Sequence, residues 1–149
     1  MRTYQKGARS ERELIKYFTE HGFMCMRGAG SGVSGLSPDL LAFKGIRQYV
    51  VEAKAHETEN LSLDKDQFEN LVQWHSVTGI ETFVAWRRKK QKLEEGADKE
   101  SAESVRKSGV GMEYRWKFIP LAFFNQNPKT YSISWEKAEM YGKDLIELI

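Results

Sequence analysis

With 149 residues, 40% of them hydrophobic and 30% charged, the chain has the length of one domain and can bury a core without disulfide staples. A single cysteine, Cys25, and three histidines, His21, His56 and His75, exclude an intramolecular disulfide, a cysteine zinc ribbon and a His-rich metal site. The balance of 23 Lys and Arg against 21 Asp and Glu gives a net charge of +2, which excludes a polycationic tail but not a nucleic-acid partner, because distribution matters more than the total.

Residues 8–21 read as a helix. Ser10 is placed to cap it, Glu11 and Glu13 favour its positive end, Leu14, Ile15 and Phe18 form an apolar stripe, and Gly22 ends it. Phe23–Arg27 reads as a short strand. The segment Gly28–Pro38 has four glycines and three serines, the composition of a long functional loop. Asp39–Phe43 and Gln48–Lys54 read as strands joined by the turn Lys44-Gly45-Ile46-Arg47. A second helix follows, capped by Ser62 with Asp64 and Asp66 in its first turn, and closed by Gly79. Glu81–Arg87 is a further strand. Residues 88–111 are charged and nearly free of apolar side chains, as expected of a solvated insertion, and Arg87–Lys92 with its following acids reads as a hairpin tip. Tyr114–Ile119 alternates aromatic with basic residues, a half-buried strand. Tyr131–Ile133 reads as a last edge strand and Trp135–Ile149 as a helix pair around Gly142. The order α-β-β-β-α-β-β with a C-terminal helix gives an α/β class, a mixed α+β sheet flanked by helices in a single domain over 1–149. No apolar run approaches ~18 residues, so no membrane span is expected. The first residues lack the apolar centre of a signal peptide, so a reducing, cytoplasmic location is expected.

The chemistry-bearing signal is a conflict with burial. Glu11 lies three and four residues before Leu14 and Ile15, on the apolar stripe, while Glu13 points about 160° away at ~100° per residue. A carboxylate facing a core is costly unless it is paired or binds a cation. If Phe43 and Gln48 pair across the turn, Asp39 faces Glu52, and like charges opposite each other destabilise a sheet. Lys54 falls on the same face as Glu52, but one ammonium does not serve several carboxylates. A hard divalent cation does. Mg²⁺ prefers carboxylate and carbonyl oxygens and is commonly held by one or two protein carboxylates plus substrate phosphate. Asp39, Glu52 and the Ala53 carbonyl supply such a partial shell, with Glu11 as a third acid. Lys54 then stands beside the attacking water, where it orients it, stabilises hydroxide or offsets phosphate charge. The constellation outlines a hydrolytic phosphodiesterase site. Residues 1–35 carry six basic side chains (Arg2, Lys6, Arg9, Arg12, Lys16, Arg27) against three acids, a local excess suited to phosphate.

Lys6-Gly-Ala-Arg-Ser-Glu-Arg-Glu-Leu, Gly22-Phe, Arg27-Gly-Ala-Gly-Ser-Gly-Val-Ser, Pro38-Asp-Leu-Leu-Ala and Val51-Glu-Ala-Lys resemble the archaeal-type Holliday junction resolvases (Hjc). The resemblance covers residues 4–86, returns at Tyr114–Pro120, and is weaker across 88–111 and the tail. It implies a restriction-endonuclease-like core, a homodimer, Mg²⁺ with Mn²⁺ as substitute and no small-molecule cofactor. The implied activity is symmetric nicking of opposed strands in four-way branched DNA, a step of recombination and repair. Carried over, the catalytic acids fall on Glu11, Asp39 and Glu52 and the catalytic lysine on Lys54. Ser31 matches a serine that some members need for activity. The expected DNA contacts are Lys6, Arg9, Arg12, Arg27, Ser31 and Gly32, with the Gly/Ser segment as a clasp. Two other functions remain open from the residues alone: a nuclease of the same fold acting on duplex DNA in restriction or repair, and a non-catalytic junction-binding protein.

Other conspicuous residues have plainer readings. Arg115 and Lys117 belong to a strand whose aromatics point inward, and His56 is a surface residue. Cys25 and Phe68 suit a core, or in the case of Phe68 an interface. Trp74 and Trp86 serve as packing or interface anchors. Gln67, at the start of the second helix, stands within reach of the site.

Overall fold

The computed structural model describes residues 2–28, 37–89 and 114–149, with side chains from residue 7 onward. Helix α1 (Arg2–Glu20) leads into strand β1 (Met24–Arg27), followed by β2 (Leu40–Lys44) and β3 (Arg47–Ala55). A short strand β4 (Asn60–Asp64), helix α2 (Lys65–Thr78), and strands β5 (Glu81–Lys89) and β6 (Tyr114–Pro120) come next. The chain closes with β7 (Asn125–Gln126), β8 (Thr130–Ser134), helix α3 (Trp135–Tyr141) and a 3-10 turn at Leu145–Leu148.

Five strands form the main sheet in the order β1-β2-β3-β5-β6. All its neighbours are antiparallel except β3 and β5, which run parallel. A parallel pair needs a crossover, and the segment carrying β4 and α2 supplies it. The two faces are covered separately. On one, Leu14, Tyr17 and Phe18 of α1 pack with Phe23, Leu40, Ala42, Val51, Phe83, Ala85 and Phe118. On the other, Phe68 and Leu71 of α2 pack with Val50, Val84, Trp86 and Ile119, and with Leu61, Leu63 and Ile133 of the smaller sheet. Burial on both faces explains why Tyr49, Val50 and Val51 are buried in succession, as expected of a central strand with a parallel neighbour. Glu52 continues that buried run. It is the one acid in it.

Several boundaries differ from expectation. Helix α1 starts at Arg2 rather than residue 8, so Ser10 is no cap: it is buried and its Oγ donates back to the Gly7 carbonyl at 2.8 Å, the usual fate of serine inside a helix. Ser62 does not cap α2 either. It lies in β4, where Leu61 and Leu63 point inward and Ser62 outward, a period-two pattern that local capping residues disguise. The N-cap position of α2 is Asp64, without a side-chain cap bond. Gly79 does close α2, in the left-handed conformation at φ 71° with its N–H donating to the His75 carbonyl. Strand β8 is central in a three-stranded sheet, order β4-β8-β7, rather than an edge. The expected C-terminal helix pair is one helix, capped by Ser134, and the 3-10 turn that buries Leu145 and Leu148.

The basic run from Arg87 is also not a tip from its first residue, since Arg87–Lys89 still belong to β5. Arg87 is 6% exposed, its guanidinium donates to Glu13 Oε2 at 2.9 Å and lies 3.9 Å from the Tyr114 ring centre. Trp116 donates its indole N–H to the other oxygen of Glu13 at 3.0 Å. Lys117 is buried too, paired with Asp144 at 2.8 Å, while Trp116 and Phe118 point inward as expected. The remainder of the charged insertion, residues 90–113, lies outside the described residues.

Candidate active site

The β2–β3 hairpin sets the geometry. Its ladder runs from Lys44↔Arg47 to Leu40↔Val51 across the two-residue tip Gly45-Ile46. Gly45 has φ +58° and Ile46 does not share a positive φ, which fits a type II′ turn with glycine first. Continuing the same register by one residue puts Asp39 across from Glu52. Asp39 precedes β2 and is tied to the end of β1, its carbonyl accepting from the Gly28 N–H at 3.0 Å. Its side chain reaches over to β3, where Oδ2 accepts the Ala53 N–H at 2.9 Å.

Glu52 is only 6% exposed. Gln67 of α2 donates its amide to Glu52 Oε1 at 2.7 Å, and the Lys54 ammonium stands 3.4 Å from the same oxygen. Burial pushes the Glu52 pKa up to about 7, the Asp39 carboxylate pushes in the same direction, and Lys54 pulls it back. The site is therefore short of positive charge: two neighbouring acids are met by one ammonium, which stands against Glu52, and the buried acid resists ionisation. Each carboxylate also has one oxygen held by the fold, Oδ2 of Asp39 by the Ala53 N–H and Oε1 of Glu52 by Gln67 and Lys54, and the two side chains lie close enough for protonated Glu52 to share its proton with Asp39. Two converging carboxylate oxygens in a place deficient in positive charge suit a hard divalent cation with oxygen ligands. What the structure shows of Ala53 is the N–H that holds Asp39.

Glu11 does not join that pair. Its Oε2 accepts from Arg27 Nε at 2.8 Å, and among the described residues no three acidic, His or Cys side chains converge as a metal cage. Among the described side chains of α1, the buried ones are Ser10, Leu14, Tyr17 and Phe18. This moves the stripe away from Ile15, so that Glu11 and Glu13 each lie about 80° from its centre on opposite flanks, at ~100° per residue. Glu13, expected to face away, is instead the acid that meets buried Arg87 and Trp116. Its spacing from Ser10 and Tyr17 was the signal that could have found it.

Among the expected DNA contacts, Arg9 and Arg12 are exposed on α1, and Arg27 is half-exposed in its pair with Glu11. The Lys6 side chain, Ser31 and Gly32 lie outside the described residues. His56 is exposed, and its carbonyl accepts the Trp86 indole N–H at 2.8 Å. Phe68 stacks on Tyr131 with ring centres 4.0 Å apart, Trp86 is fully buried, and Cys25 packs against the α1-side core.

Comparison with known proteins gives one consistent picture. The chain matches the archaeal Holliday junction resolvase (hjc) family over residues 2–149. It is 29% identical over 146 residues to the crossover junction endodeoxyribonuclease Hjc of Archaeoglobus fulgidus, an alignment that covers 93% of this chain and 90% of the relative. The solved structure of Archaeoglobus fulgidus Hjc, a Holliday junction resolvase from an archaeal hyperthermophile, matches with a TM-score of 0.66 at 25% identity, covering 95% of this chain and 93% of that one.

Proposed function

The chain belongs to the archaeal Holliday junction resolvase (Hjc) family, with its restriction-endonuclease-like fold, and we propose that it is a single-domain, cytoplasmic, Mg²⁺-dependent endonuclease that resolves four-way DNA junctions. The observation that carries this reading is the Asp39–Glu52 pair with Lys54 beside it, two converging acids and one cation at the end of the hairpin. Asp39 and Glu52 would hold the metal, Mg²⁺ or Mn²⁺, with the Ala53 carbonyl as a further ligand; Glu11, paired with Arg27 at 2.8 Å, would join them only on releasing that arginine. A bound divalent ion would supply Lewis-acid stabilisation of charge on the phosphate and a nucleophile at neutral pH.

The remaining work falls to this chain's own side chains. Lys54, held 3.4 Å from Glu52, orients the attacking water and offsets the charge that builds on the phosphate oxygens. Arg9, Arg12 and Arg27, with Lys6, Ser31 and Gly32, bind the backbone phosphates, contacts that position a duplex arm without reading its sequence. One chain offers one such site. Two opposed nicks require two sites, so the active species is a homodimer with two-fold symmetry.

The test is a strand-resolved nicking assay on a four-way junction and on a duplex of identical sequence, with Mg²⁺ and with EDTA. The expected result is paired nicks on opposed strands of the junction only, and only with the metal. Cleavage in EDTA would overturn the metal's role, and equal cleavage of duplex the junction selectivity. Binding without nicking in Mg²⁺ or Mn²⁺ would make the protein a binding module, and strictly monomeric active enzyme would overturn the symmetric model.

A further inference from the structure

Glu52 emerges from the sheet into a largely apolar layer where Val50, Val84 and Trp86 pack against α2. A carboxylate there has several staggered side-chain wells open to it, and a buried acid is only useful to a cation if one of them is fixed. Its neighbours along the strand cannot fix it: Ala53 offers its N–H to Asp39 instead, and Lys54 is a rotatable point charge at 3.4 Å. The short contact comes from another element. Gln67, in the first turn of α2, donates to Glu52 Oε1 at 2.7 Å, well inside the 3.4 Å of the Lys54 ammonium from the same oxygen.

Three features make this more than incidental packing. Gln67 is itself anchored, because the next residue, Phe68, is buried against Phe124 and stacked on Tyr131, which fixes the first turn of α2 relative to β3. The donor is a neutral amide. An Arg or Lys at this position would neutralise Glu52 and compete with an incoming cation, whereas an amide orients the carboxylate and leaves its charge for the metal. The contact also takes Oε1, the oxygen that Lys54 faces, so that Oε2 is the one presented.

We propose that Gln67 is a positioning residue for the metal site, holding Glu52 with Oε2 presented beside Asp39 so that α2 sets the geometry of the cation's protein ligands. This rests on the assignment of Asp39 and Glu52 as metal ligands above. Hydrogen-bond partners of ligating carboxylates typically contribute 10–100-fold to metal affinity or activity.

The experiment compares wild type, Gln67→Met, which keeps length and helix propensity but removes the donor, and Gln67→Ala, which also removes the bulk. Mn²⁺ binding to the DNA-free protein is measured by electron paramagnetic resonance, with thermal unfolding and junction binding in EDTA as controls and nicking rates taken across a Mn²⁺ titration. Both variants should bind Mn²⁺ ~10–100-fold more weakly, bind the junction in EDTA as wild type does, and recover nicking as Mn²⁺ is raised. Unchanged Mn²⁺ affinity in folded variants would overturn the proposal, as would lost nicking that no Mn²⁺ concentration restores. Glu52→Ala separates the two levels: if it binds Mn²⁺ like wild type, the metal-site assignment itself fails. If it loses Mn²⁺ while both Gln67 variants keep it, only the role of Gln67 falls.

Discussion

Replacing Glu52 with Gln should make the metal-free protein more stable at alkaline pH, although it removes a residue of the active site. In the folded chain burial, and then the Asp39 carboxylate, push the Glu52 pKa from 4.5 to about 7 against the pull of Lys54. Between those values the folded state keeps a proton on Glu52 that the unfolded chain has lost, so stability falls as pH rises. The contribution of the neutral acid is fully present below the unfolded pKa and is lost as pH passes through the folded one. A shift of this size corresponds to about 3 kcal/mol, on the order of 5–10 °C in Tm for a chain of this length. Gln at position 52 keeps an acceptor for Gln67 and has no charge to bury. Thermal unfolding in EDTA between about pH 4.5 and pH 8 should therefore show Glu52→Gln matching wild type at the acid end and exceeding it at the alkaline end. Mg²⁺ should reverse the order: at 100 times Kd it adds about 2.7 kcal/mol to a protein that binds it, and only wild type keeps both carboxylates. A variant less stable than wild type near pH 8 in EDTA, or a constant difference across the whole range, would refute the electrostatic account.

Lys54→Ala should abolish nicking under single-turnover conditions while junction binding, measured by gel shift in EDTA, stays near wild type, because Lys54 faces Glu52 rather than the exposed arginines of α1. Arg87→Ala should act on stability instead: its guanidinium is buried against Glu13 and the Tyr114 ring, and removing one partner of a buried pair costs about 3–5 kcal/mol. Chemical denaturation would read that loss, and a change below about 1 kcal/mol, the range of exposed pairs, would show that the pair is effectively solvated.

The strands of the main sheet and the hairpin register were legible because their signals are local, whereas the parallel β3–β5 neighbourhood, made across the β4–α2 crossover, was not. Two apolar runs around Lys44-Gly45-Ile46-Arg47 admit few pairings, and the observed ladder has the Phe43↔Gln48 pair read from the turn. The small sheet was not legible in the same way: β4 reads as a helix start because Ser62, Asp64 and Asp66 are all good N-terminal residues, and only its partner β8 reveals Leu61 and Leu63 as a strand face. The two acids of α1 failed for a related reason. A helix face is defined by what packs on it, and Tyr17 joins the core by turning its ring toward Phe18 and its apolar neighbours, a contact its hydroxyl does not advertise. Arg87 was read as solvated because its charged successors were visible in sequence and Glu13, 74 residues away, was not.

The site itself depends on parity more than on any one contact. Side chains alternate along a strand, so a single-residue change in the hairpin tip would send Asp39 or Glu52 to the α1 face and separate them. The two-residue tip, the left-handed Gly45 and the buried partners Leu40 and Val51 that end the ladder together oppose that slip, since it would also turn Leu40 or Val51 out of the α1-side core they fill. The stability of the hairpin and the convergence of the acids are thus one constraint. The near-neutral net charge of +2 follows from the same arrangement: acids gathered at the hairpin's open end offset bases spread along α1, and a whole-chain sum cancels two features that the fold keeps apart.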